Sequence, residues 1–406
     1  MTIATAARIP LRVRLAIYGT GIFSNSANIV VAVIVPLWLI ELQASPFMVG
    51  LALGGRYLLP TLLSIHGGAL MDKVGARRVL VFFSWIGVVL PLLHPLLPSV
   101  WAVVILQMIL GLIATIGWVA GQTLVGQSMT GSHAEAGLLG FSARIGSLVA
   151  APLAGLSWDL MGPWGGFALM TLWSVGLLAA ALLLPKDRDG DNAPRRAFRL
   201  ADTLPRYADY RAAFVLMRSP AMAIVVILSL INLAGGAIQT SFFVVYLEKI
   251  EFSATSIGTL AACYSIMAAL GNLWAAPASR YLNAYWILFY SIVVGIVGVA
   301  ITPLMTAFLP LMVVAVFRGT TQGITQPLMI TAASRATDAG SQGKSVGLRI
   351  AMNRLSLSVV PIVMGAVVEA VGLENGFYAM GAGLLVPMIG IGFYMYRRPE
   401  FTGREK

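Results

Sequence analysis

Runs of about twenty apolar residues recur along the whole chain, and no other feature constrains the fold as strongly. A helix rises about 1.5 Å per residue, so a run of that length covers the ~30 Å hydrocarbon core of a bilayer. Parsed between turn and charge signals, the runs fall at residues 13–40, 47–70, 79–97, 100–127, 137–160, 165–185, 217–247, 255–279, 284–305, 308–333, 345–369 and 376–396. Of 406 residues, 58% are hydrophobic and only 11% charged, against roughly 25% charged in a soluble domain. In lipid every backbone polar group has to be satisfied inside the chain, which makes each run a helix. The expected fold is an all-α polytopic membrane protein of twelve transmembrane helices.

The net charge of +11 raises nucleic acid as a partner, and the placement of the bases answers it. Of the 27 Lys and Arg residues, clusters stand in the N-terminal tail, at Lys73–Arg78, between Lys186 and Arg218, and after Tyr396. Lys249 alone lies in a turn on the opposite side. This one-sidedness is the positive-inside pattern, so both termini are expected in the cytoplasm, nucleic acid is not expected, and the lipid bilayer is the partner. With Cys263 the only cysteine, an intrachain disulfide is impossible and a cysteine-based metal site is not expected. The N-terminal apolar run continues to Ile40 without a small-residue cleavage site, so it reads as a first transmembrane helix.

The longest polar interruption, at 186–215, divides the runs six and six. It suggests bundles at 1–185 and 216–406 joined by a cytoplasmic linker, either solvated or lying on the membrane as an interfacial helix. The halves resemble each other. An offset of 210 residues pairs Gly137 with Gly347, Arg144 with Arg354, Gly155 with Gly365, and Asp159 with Glu369. With a slip of two, Gly50 meets Gly258 and Ser45 meets Ser253. Repeats at this spacing suggest two six-helix halves related by an axis along the membrane normal.

Between the second and third runs stands HGGALMDKVGARR. It reads as a polar turn with topological bases, or as a conformational latch. In the latter, Gly68 offers a close approach and Asp72, one helical turn on, offers a carboxylate to a base or to another helix's N-terminus. The segment resembles the signature of the major facilitator superfamily, matched here at Gly68, Asp72, Lys73, Gly75, Arg77 and Arg78. That resemblance implies two pseudo-symmetric six-helix bundles, and that Asp72 latches the start of the eleventh helix, around Gly343–Gly347. The second-half copy, APASRYLNAYW, has lost the pattern. A fifth-helix motif of antiporters in that superfamily is kept only in part, at Pro152 and Gly155.

In the fold so implied, the cavity lies between the halves and is lined by helices one, four, seven and ten. Polar residues stand on these helices at helical spacing: Asn25 and Asn28; Gln107, Trp118 and Gln122; Asn232 and Gln239; Gln322 and Gln326. Such groups belong on a cavity or a helix interface, not against lipid. All 16 acidic residues fall in turns, tails or helix ends, whereas five arginines lie inside the runs. An arginine at mid-membrane is costly and marks a functional site. Arg56 and Arg318 are substrate-binding candidates; Arg144 and Arg354, in the cytoplasmic half, suit the capping of carbonyls; and Arg349 suits snorkelling. His66, His94 and His133 lack metal-ligand spacing and read as packing or interfacial residues.

The chain is expected to be a secondary active transporter of a small organic anion or zwitterion, working by alternating access in the cytoplasmic membrane. It is expected to be a monomer with no cofactor, no metal and no catalytic residues, and a proton is a candidate coupling ion. A drug/proton antiporter exporting lipophilic compounds is the alternative, although such a site wants a buried carboxylate and none is evident.

Overall fold

A computed structural model describes residues 10–63, 71, 75–128, 133–184, 216–336 and 342–402, and all regular elements among them are helical. The first half contributes α1 (Leu11–Glu41), α2 (Pro46–Leu63), α3 (Ala76–Leu96) and α4 (Val100–Ser128). A 51-residue helical stretch, His133–Leu183, is broken where Gly162 takes φ +58° and Pro163 follows, which divides it into α5 (133–161) and α6 (163–183). Glycine adopts that φ freely, and proline withdraws a backbone donor. The second half contributes α7 (Pro220–Lys249), α8 (Ala254–Tyr281), α9 (Ala284–Ala300), α10 (Phe308–Arg335), α11 (Gln342–Val371) and α12 (Leu373–Tyr396). The protein is thus a twelve-helix membrane protein. The proposed linker at 186–215 lies outside the described residues.

Helix α2 departs from the unbroken run expected there. Regular helix ends at Gly55, and a turn at Arg56–Tyr57 precedes a second helical piece. Pro60 explains the break. It has no N–H to donate to the Arg56 carbonyl four residues back, and Tyr57 N–H bonds instead to Gly54 O at 3.0 Å. The freed carbonyl lies against α4 at Gly111, where a Cβ would collide with it.

The halves are joined unequally at their two ends. At the end distal to the chain termini they share one apolar core. Ile34, Leu39, Leu53 and Phe167 from the first half pack there with Phe242, Leu247, Met364 and Phe377 from the second. At the other end each half keeps a core of its own, around Ile17, Leu80 and Leu177 in the first and around Leu228, Leu288 and Met395 in the second.

The distal seam rests on two helix pairs with matched chemistry. Gly50 of α2 lies against Pro361 O of α11, and Gly258 of α8 against Ala151 O of α5. Conversely Gly365 meets Pro46 O, and Gly155 meets Ala254 O; a Cβ at any of the four would strike a carbonyl oxygen. Ser45 and Ser253 cap α2 and α8 through their hydroxyl oxygens. The acids complete the pattern across the seam. Asp159 accepts from Ala254 N at 2.9 Å and Thr255 N at 2.7 Å, and Glu369 accepts from Phe47 N at 3.0 Å. Each carboxylate thus sits at the positive end of a helix in the opposite half.

Candidate functional site

The break in α2 places the Arg56 guanidinium inside the first half, 4% exposed, and among the described residues its hydrogen-bond partners include no carboxylate. Amide oxygens take that role. Asn28 Oδ1 accepts from Arg56 Nε (3.3 Å) and Nη2 (3.0 Å), and Gln107 Oε1 accepts from Nη1 at 3.0 Å. Asn28 in turn donates to Asn25 O, and Asn25 to Ser147 Oγ, each at 3.3 Å. Behind Gln107 lies His94, fully buried and stacked on Phe167 with ring centroids 4.5 Å apart. His94 Nδ1 meets Leu90 O at 3.3 Å and Pro91 O at 3.1 Å, while Nε2 meets Gln107 Nε2 at 3.0 Å. His94 therefore belongs to the arginine's network, and its sequence spacing carries no sign of this. The turn that Pro91 makes at the end of α3 swings the ring inward.

Arg56 opens onto a cavity of about 120 Å³ shared with Asn25, Asn28, Tyr57, Thr115, Trp118 and, from the second half, Arg354. Among the described residues, none that lines it is acidic. Arg354 Nη1 also donates to Pro60 O at 2.6 Å, capping a carbonyl of the broken α2 from across the interface.

Arg318 occupies a different pocket, 5% exposed, with Asn232, Tyr264 and Gln322 among its neighbours. It donates to Gly295 O at 3.2 Å, to Gly235 O at 3.3 Å and to Gln239 Oε1, and its guanidinium carbon lies 5.9 Å from the Tyr264 ring centre. A Cβ at Gly298 would overlap the Arg318 stem. The structure thus separates the two central arginines that the sequence offers together. Of the remaining candidates, Gln122 and Arg144 are exposed and Gln326 is half-buried.

Within the charged turn, Gly68, Asp72 and Lys73 lie outside the described residues. Gly75 takes φ +104° and opens α3. Arg77 donates to Leu184 O at 3.0 Å and Leu182 O at 3.4 Å, tying the start of α3 to the end of α6, where a cation suits the helix dipole. Arg78 is exposed. Among the described residues no His, Cys, Asp and Glu cluster has metal-binding geometry.

Comparison with known proteins decides the family. A family model for the Major Facilitator Superfamily matches residues 17–250 and 224–406. The chain belongs to that superfamily. No match to a curated protein was found. Among solved structures, the nucleoside transporter NupG superposes with a TM-score of 0.78 at 15% identity over 95% of this chain and 99% of that one. A bacterial homologue of the human lysosomal transporter Spinster, inward-facing and occupied, gives 0.72 at 13% identity over 96% and 97%. At such identity the likeness establishes the fold alone. As a Major Facilitator Superfamily transporter, the chain binds small-molecule substrates within a membrane, and its polar cavity lies where the halves face each other.

Proposed function

We propose that the chain carries a small organic anion or zwitterion by alternating access, holding the substrate's carboxylate or phosphate between Arg56 and Arg354. One observation carries this reading. Two arginines, one from each half, line a single cavity with no acid among its described lining residues. Leaving buried charge without a counter-ion is costly, so an anion is the ligand that completes the cavity. Its volume suits a carboxylate or phosphate head with a few attached atoms, well below the 300 Å³ and more that drug-sized ligands occupy. A lipophilic cation would need a carboxylate in the same place.

A substrate held by both halves reports the position of each half to the other, which alternating access requires. In this proposal the shared distal core is the closed outer end, the termini lie in the cytoplasm, and the protein works as a monomer in the cytoplasmic membrane. The test is binding to purified protein of acetate, benzoate and methyl phosphate, with uridine as a neutral comparison. Transport of the same probes into liposomes follows. Saturable anion binding that weakens in Arg56→Gln supports the proposal. Tighter binding of uridine, indifferent to that substitution, would replace it with a neutral-substrate site built on the asparagines and Trp118.

A further inference from the structure

We infer that His94 is a proton-binding site coupled through Gln107 to the anion site at Arg56, so that one proton accompanies each anion. This rests on the anion reading above. The argument begins with donors and acceptors. Arg56 has only donors, so Gln107 presents its carbonyl oxygen to Nη1, which leaves its amide N–H groups facing His94. Nε2 of His94 must then be the acceptor, and the proton of the neutral ring sits on Nδ1, where two backbone carbonyls receive it. In this state the network is fully matched.

A proton added at Nε2 turns that nitrogen into a donor facing a donor. The relay recovers by a half-turn of the Gln107 amide, which gives its oxygen to His94 and its N–H groups to Arg56. The guanidinium loses an acceptor and gains a repelling neighbour, and its free N–H groups are then available to the cavity it lines. A carboxylate or phosphate there accepts them. Among the described residues, the charged side chain acting on His94 is Arg56, and Phe167, Gln107 and the carbonyls of Leu90 and Pro91 contact the ring. A bound anion then offsets the second positive charge, so proton and anion each favour binding of the other. His94 is fully buried while the halves share their distal core, so the two would be occluded together.

The step balances simply. One hydronium ion gives its proton to Nε2: an N–H bond forms, one O–H bond of hydronium breaks, and a water molecule is released. It also addresses an energetic need. Inward movement of a monoanion is opposed by a negative interior, and one companion proton cancels that charge.

The experiment measures Kd for benzoate between pH 5.5 and 8.5 in wild type and in His94→Gln. Coupling predicts a roughly tenfold weakening per pH unit on the alkaline limb in wild type and a flat profile in the variant. A pH slope that persists in His94→Gln, or no slope in wild type with binding still lost in Arg56→Gln, overturns the inference and leaves the anion site standing. Absence of binding to benzoate, acetate and methyl phosphate alike removes the anion site itself. A second measurement does not depend on the variant folding. The chain has three histidines, so replacing His66 and His133 by Gln leaves one labelled imidazole for nuclear magnetic resonance. Saturating benzoate at pH 7 should convert it to imidazolium, and a ring that stays neutral refutes the coupling.

Discussion

The two halves of the molecule are alike at their distal ends and unlike in their middles. At the seam the pairing is almost residue for residue: Ser45 with Ser253, Gly50 with Gly258, Gly155 with Gly365, and Asp159 with Glu369. In the middle, Arg56 is held by rotatable amides of Asn28 and Gln107, whereas Arg318, besides the Gln239 amide, is tied to main-chain carbonyls of Gly235 and Gly295. An amide side chain can release its partner by turning, but a helix carbonyl releases it only if the helix moves. The duplicated fold has therefore kept its symmetry at the distal seam. It has abandoned that symmetry around the central arginines, where the proposed ligand site lies.

The sharpest test of the asymmetry is Arg56→Gln. Loss of a charged hydrogen bond costs about 1.5–3 kcal/mol, so Kd for benzoate should rise ten- to a hundredfold while uridine binding barely changes. Titration calorimetry or a tryptophan signal from Trp118 would read it. An equal loss for both ligands would mean the substitution had damaged the fold.

Arg318→Gln should behave in the opposite way. Its partners belong to α7 and α9, so their loss loosens the second half and lowers the apparent Tm by a few degrees, for a cost of roughly 1–2 kcal/mol. Affinity for benzoate should change less than about threefold. If affinity collapses and Tm holds, the two arginines are equivalent ligands and the comparison fails.

Arg354→Gln tests whether the site really spans both halves. Arg354 is only half-buried and already donates to Pro60 O, so the expected rise in Kd is smaller, about three- to tenfold. Transport should fall further than binding, because the substrate would no longer link the halves. A purely local helix cap would lower Tm and leave both readouts otherwise unmoved.

These contrasts also show what the sequence could convey. Apolar length is a property of a single segment, so helix positions were legible, and so was the Gly162–Pro163 break between α5 and α6. The repeat was legible because the seam needs small residues and acids at fixed helical spacing in both halves. The turn at Arg56 was hidden, since an apolar run interrupted only by Pro60 reads as one helix. His94 and Gln107 lie thirteen residues apart on either side of a turn, with no periodicity to join them. That Arg354 faces the cavity of Arg56 depends on how the halves dock. Pattern within one helix contains no trace of that.

The smallest effects concern the seam, and there the two halves should answer together. Asp159 receives two backbone N–H groups of α8, and Glu369 receives one from α2. A carboxylate at a helix N-terminus contributes about 0.3–1 kcal/mol at exposed positions. Asp159→Asn and Glu369→Gln should each shift the population toward distal opening by roughly two- to fivefold, with Asp159→Asn the larger. They act on separate helix pairs, so the double variant should show the two free energies nearly added. Spin labels at Ser99 and Thr306, in exposed distal turns of opposite halves, would report the opening as a longer distance once Cys263 is replaced by Ser. Glu374→Gln is the control. It breaks the 2.7 Å ion pair with Lys249, which lies wholly within the second half and is 51% exposed on both sides, so the label distance should not move. If Glu374→Gln opens the seam as much as Asp159→Asn does, surface charge in general holds the halves together. If neither acid at the seam matters, the close glycine contacts suffice, and the symmetry of the acids has no part in closure.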